Sequence, residues 1–214
     1  MKLKFDHTHY VPVLRWKRAE RDALVRLTSD VRRRITPLLE LVLTKSNSPS
    51  KIADSVRKSW WGPSPFFLDD LNWPEAETGR ITASMADAMR LEGLLAIPVT
   101  GLDRSRRHQL AVAKIAAKDL RGACLRICPS DLQSLSLGKN LDALLRLLVL
   151  APEQVDLVAD YQIVSEFNMP FTKLCDRVPY LNRWRTFTVI GGAFSENLVK
   201  YDKNGEYKRP REDW

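Results

Sequence analysis

Six polar side chains each close a short apolar run, and their types and spacing suit chemistry: Lys17, Glu40, Asp69, Thr100, Arg126 and Asp160. Glu40, Asp69 and Asp160 form a candidate catalytic and metal-ligating set, because a hard cation such as Mg²⁺ prefers carboxylate oxygens. Lys17 and Arg126 are candidate ligand-binding cations, Arg126 through a bidentate fork onto phosphate. Thr100 adds a hydroxyl. The adjacent Gly191 and Gly192 offer backbone N–H groups of the kind that cradle phosphate. A metal, cationic clamps and a carboxylate base are together the parts of phosphoester binding or metal-assisted hydrolysis.

A structural reading covers the same residues. The three acids and two bases nearly balance, so they can neutralise one another in a buried network. Asp70 can cap the helix that follows it. Both readings stay open at this level. Histidine chemistry is disfavoured: His7 and His9 precede the first apolar run, and His108 falls in a predicted helix. Cys124, Cys128 and Cys175 sit in apolar segments as reduced thiols and lack the four close ligands of a zinc site.

Polar tips at a common height need strands to deliver them. Seven apolar runs, at 10–16, 35–41, 65–71, 95–102, 122–129, 155–164 and 185–194, recur roughly every thirty residues, with helical stretches between them. Helices are expected near 18–33, 50–60, 82–92, 105–120, 140–149 and 171–178. Ser48-Pro49 opens the second of these as a capping residue followed by a first-turn proline. Such alternation builds parallel α/β folds. No Gly-x-Gly-x-x-Gly follows the first run, which disfavours an open dinucleotide-binding sheet. The expected fold is therefore a TIM-like (β/α) barrel over residues 1–199, incomplete at about seven strand–helix units, with a polar tail at 200–214. The six tips then share the carboxyl-end rim where such barrels carry their sites. An open barrel edge offers self-association. Pro98 lies within a predicted strand and points to a bulge there.

Composition narrows the partners. The net charge of +8 favours anionic partners, a small molecule or a protein, or simply solubility. The basic clusters Arg32-Arg33-Arg34, Arg104 with Arg106-Arg107, and 200–211 read as solvated helix ends and loops. Direct nucleic-acid binding rests on charge alone, because aromatics are not interleaved with these runs. Trp16, Trp60, Trp61, Trp73 and Trp184 read as packing beneath loops, and the long loop 72–80 as a lid or partner contact. No apolar run reaches the length of a membrane span, and the N-terminal residues lack the apolar core of a secretory signal, so a cytoplasmic protein is expected.

Several segments resemble a known family. They are His9-Tyr-Val-Pro-Val-Leu-Arg-Trp-Lys-Arg-Ala-Glu-Arg-Asp-Ala-Leu24, Ile35-Thr-Pro-Leu-Leu-Glu40, Ile97-Pro-Val99 and Cys124-Leu-Arg-Ile127. They are similar to the family called beta protein, named after a bacteriophage protein and found in many bacteria. Members are generally longer, so the resemblance implies a chain lacking the family's C-terminal part. It also implies an association with phages, and it supplies no catalytic residues. Two functions follow as expectations. One is binding or metal-assisted hydrolysis of an anionic, phosphorylated ligand at the barrel rim. The other is a non-enzymatic interaction protein of phage–host conflict.

Overall fold

The computed structural model describes residues 5–6, 8–41, 48–70, 77–163, 173 and 176–192. The expectations for Cys175, His7, Trp73, most of the 72–80 loop, half of the 171–178 helix and the 200–214 tail lie outside them. Parallel strands β1 (Val13–Arg15), β2 (Leu38–Glu40), β3 (Phe66–Asp69), β4 (Ala96–Thr100), β5 (Ala123–Ile127), β6 (Val155–Ile163) and β7 (Thr186–Gly192) pair in chain order. They form a nearly closed barrel. Among the described residues no ladder joins β1 to β7. This is the incomplete seven-unit barrel expected from the spacing of the apolar runs.

Helices α1 (Arg18–Val25) and α2 (Ser29–Arg33) follow β1, and α3 (Pro49–Ser59) follows β2. Next come α4 (Thr78–Leu91) after β3 and α5 (Arg106–Asp119) after β4. The short α6 (Pro129–Gln133) and the longer α7 (Leu137–Leu148) follow β5. One continuous helix was expected over 18–33. Instead Thr28 takes extended backbone and its hydroxyl accepts from Val31 N–H at 3.4 Å, which starts a new helix. Ser48 caps α3 in the expected way, accepting from Lys51 N–H at 3.4 Å.

Strand alternation splits the core into three parts. Val11, Leu38, Phe67, Ile97, Val99, Cys124 and Val158 fill the barrel interior. Leu39, Phe66, Leu68 and Ala96 face outward against Ile52, Val56, Met85 and Met89 of α3 and α4. Leu125, Ile127, Leu157 and Ala159 meet Val112 of α5 and Leu141, Leu144 and Leu148 of α7. Each fully buried large aliphatic side chain contributes roughly 1.5–3 kcal/mol. These layers hold the strand tips at fixed height and orientation.

The bulge expected at Pro98 is absent: Leu68 pairs with Pro98 in unbroken register. Phe66 N–H donates to Leu95 carbonyl, so odd positions of β4 bond to β3 and even positions face β5. The donor that Pro98 lacks therefore points toward β5, where pairing starts only at Val99. The register shift lies instead in β6, between Asp160 and Ile163.

Candidate functional site

Interior positions at the carboxyl ends of the strands carry charge. Arg15, Glu40 and Asp69 occupy one register row across β1, β2 and β3. Arg126 is two residues beyond interior Cys124, and Asp160 two beyond interior Val158, so both also point inward. The Arg126 guanidinium lies among three carboxylates. Its Nη1 donates to Glu40 Oε1 at 2.7 Å and to Asp69 Oδ2 at 2.8 Å. Its Nε and Nη2 donate to Asp160 Oδ2 at 2.8 and 2.5 Å.

Two further cations complete the cluster. Arg104 Nη2 donates to Asp69 Oδ1 at 3.0 Å and Oδ2 at 3.2 Å. Arg15 Nε stands 3.7 Å from Glu40 Oε2. Asp69 is fully buried, while the Glu40 and Arg126 side chains keep 14% and 12% exposure. The open side of the cluster is therefore the Glu40–Arg126–Arg15 edge. Burial raises the Asp69 pKa, against the opposing pull of Arg104 and Arg126. Burial alone would lower the Arg126 pKa, but Asp160 and Asp69 outweigh it and the net shift is upward.

Local backbone supports the cluster. Gln162 has φ +54°, the left-handed region rare for a side-chain-bearing residue. Its N–H donates to Asp160 Oδ1 at 2.7 Å, so one carboxylate both fixes the β6 irregularity and holds Arg126. Past β4 the chain crosses β5 at Gly101. A Cβ there would lie 2.6 Å from the Arg126 carbonyl oxygen and 2.7 Å from Asp103 Oδ1. Only glycine lets this loop carry Arg104 over Asp69.

The structure thus brings together four of the residues singled out from sequence: Glu40, Asp69, Arg126 and Asp160. The others stand elsewhere. Lys17 is exposed and precedes α1; Trp16 faces outward, its Nε1 donating to Ser55 Oγ at 2.9 Å, and the inward cation of β1 is Arg15. Thr100 faces the helices because Val99 takes the interior position, and its hydroxyl pairs with His108 Nδ1 at 3.1 Å. Gly191 and Gly192 belong to β7 itself, with Gly192 paired to Ile163, and neither has the positive φ of a phosphate loop. The three carboxylates named as candidate magnesium ligands all pair with the Arg126 guanidinium. Among the described residues no group of three or more His, Cys, Asp or Glu side chains is arranged to hold a metal.

Sequence reasoning missed Arg15, Arg104 and His108. Parity signalled Arg15, which sits two residues after Val13 in a strand. Gly101 signalled Arg104, since a glycine directly after a strand marks a close crossing. His108 sits in α5, as expected, but its Nε2 pairs with Asp70 Oδ1 at 2.8 Å. Asp70 also accepts from Thr82 Oγ1 of α4, so it ties β3 to two helices.

The arrangement is a charge-balanced, mostly buried cluster at the carboxyl-end rim. None of the curated proteins compared with the chain matches it. Among solved structures, a GH18 chitinase from Pseudoalteromonas aurantia superposes with a TM-score of 0.51 at 10% identity, over 77% of this chain and 76% of that one. At that identity the likeness is one of fold alone. No helix among the described residues is long and apolar enough to cross a membrane. Residues 10–214 match the family described as Beta protein, and this barrel chain belongs to that family.

Proposed function

We propose that the rim cluster is a binding site for a small anionic ligand, phosphate-bearing in the first instance, and that Arg126 is its anchor. The observation that supports this reading is the position of Arg126. It is a forked cation on the inner wall at the strand ends, held rigidly by Asp160 and Asp69, with one Nη1 contact directed to the more exposed Glu40. Glu40 acts as the internal stand-in for the ligand. An incoming anion takes the place of its carboxylate and meets Arg126 and Arg15 together. Arg126 fills the space that a metal would need, so the reading is one of binding, with no hydrolytic step assigned.

The internal pairing of every carboxylate in the cluster favours a second reading, in which the network is a rigid support for a protein-binding barrel of the phage–host kind. One experiment separates them. Inorganic phosphate and phenyl phosphate are titrated into wild type and Glu40→Gln at low salt, with calorimetry and amide NMR as readouts. The binding reading expects shifts at the rim, and severalfold tighter binding in the variant, because the competing charge is gone. If neither protein responds to either probe, the scaffold reading stands and the binding reading is rejected.

A further inference from the structure

We infer that the opposite, amino-end face of the barrel binds single-stranded nucleic acid, stacking a base on Trp61 and holding phosphates with the arginines and lysine around it. In sequence the arginine run at 32–34 and the tryptophan pair at 60–61 are separate, and the basic run looks bare of aromatics. The fold interleaves them. The Arg32 guanidinium lies between the two indoles, 5.1 Å from the Trp60 ring centroid and 4.9 Å from that of Trp61. Trp60 is fully buried, whereas Trp61 remains 55% exposed.

Arg32 is held in place from within. Its Nη2 donates to Leu24 carbonyl and, at 3.2 Å, to Ser59 carbonyl, and its Nε donates to Leu27 carbonyl at 3.4 Å. One buried side chain thus closes the C-terminal ends of α1 and α3 and backs the exposed indole with a fixed cation. Its Nη1 is buried and has no hydrogen-bond partner among the described residues. Gly62, at φ +100°, turns the chain directly after Trp61.

The rim of this platform is cationic. Arg33 lies in the last turn of α2, and Arg57 and Lys58 lie in the last turn of α3. The bond from Arg32 to Ser59 brings those two helix ends together. Asp30 is shared by Arg33 and Arg34, Asp54 by Arg57 and Lys58, and Arg57 also pairs with Glu92 at 2.7 Å, so four outer cations face three carboxylates, and the cations of every pair are solvent-exposed. Exposed pairs of this kind exchange readily with phosphate. An exposed aromatic plane ringed by exchangeable cations is the pattern that binds unpaired bases and their backbone without sequence preference. A duplex offers no free base face to the indole. This inference stands apart from the rim site, which lies at the other end of the strands.

The test is fluorescence anisotropy with labelled oligo(dT), oligo(rU) and a duplex of equal length, at low and moderate salt. Wild type is expected to bind both single strands better than the duplex, with affinity falling as salt rises. Trp61→Ala is expected to weaken binding roughly tenfold, and Trp61→Phe to retain most of it, because a smaller ring still stacks. Arg33→Glu, a fully external change, is expected to weaken binding and reduce its salt dependence, with circular dichroism showing the fold intact. Equal binding of duplex and single strand, wild-type affinity in both Trp61→Ala and Arg33→Glu, or no binding at low salt overturns the inference. A response to one single strand only would assign the platform to DNA or to RNA.

Discussion

Arg126 and Glu40 are 86 residues apart in the chain, yet Nη1 of one lies 2.7 Å from Oε1 of the other across the barrel mouth. The same guanidinium also holds Asp69 and Asp160, so its removal leaves three carboxylates converging without it. We expect Arg126→Met to cost roughly 3–5 kcal/mol in urea unfolding. Adding Glu40→Gln and Asp160→Asn to that variant should recover a large part of the loss. A loss under about 1 kcal/mol would show that the cluster is more open than its burial implies.

Asp69 gives a pH signature. Its folded pKa is raised above the ordinary 3.8, with burial as the leading cause. The folded state therefore holds the proton to higher pH than the unfolded chain does. The contribution of Asp69 to stability is fully present below 3.8 and is lost as pH rises through the folded value. Stability of wild type relative to Asp69→Asn should fall with rising pH across that window, measured by denaturant titration. A relative stability that rises with pH would mean that Arg104 and Arg126 dominate the carboxyl group.

Thr100 and Asp70 bind the helices to the strand ends through His108. Thr100→Val removes one buried hydrogen bond and leaves His108 Nδ1 unpaired, at an expected cost of about 1–3 kcal/mol. Phosphate affinity at the rim should not change, because Thr100 faces away from the interior. A variant of normal stability and altered affinity would place Thr100 in the site after all.

Gly101→Ala forces a methyl group against the Arg126 carbonyl. We expect a destabilisation of more than about 1 kcal/mol, together with displaced rim resonances in amide NMR. Neutral behaviour in both measurements would show that the loop carrying Arg104 moves freely.

Cys128 precedes α6, and burial pushes its thiol up to about 11, with Asp103 adding to the shift. In a Cys175→Ser background, its reaction with an aromatic disulfide reagent should be slow at neutral pH and accelerate as pH approaches that value. Cys124, fully buried with a pKa raised well above its ordinary value, should stay silent until the protein unfolds. Fast thiol reaction at neutral pH would contradict the placement of β5.

The architecture was legible because apolar runs repeat at the length of a strand–helix unit, and burial on both faces leaves a continuous apolar signal in parallel strands. Glu40, Asp69, Arg126 and Asp160 were legible because each ends such a run on the interior parity. Lys17 was placed two residues past the strand end and Thr100 one residue past the interior position. In β1 the strand ends at Arg15, earlier than its apolar run, and in β4 the interior residue is Val99. The split between α1 and α2 hung on Thr28, whose capping bond competes with helix continuation in a way that periodicity does not register. Arg104 and His108 act through long-range pairing, with Asp69 35 residues away and Asp70 38 residues away, which local pattern cannot encode.

A wheel whose rim is cut keeps its shape only if something spans the hub. Among the described residues the β1 and β7 flanks share no backbone bonds, and the guanidinium on β5 reaches β2, β3 and β6 at once. The backbone ladders run in chain order around the sheet, and this side chain adds a second link directly across the mouth. Removing that side chain would therefore cut the link between opposite walls while leaving every backbone ladder in place.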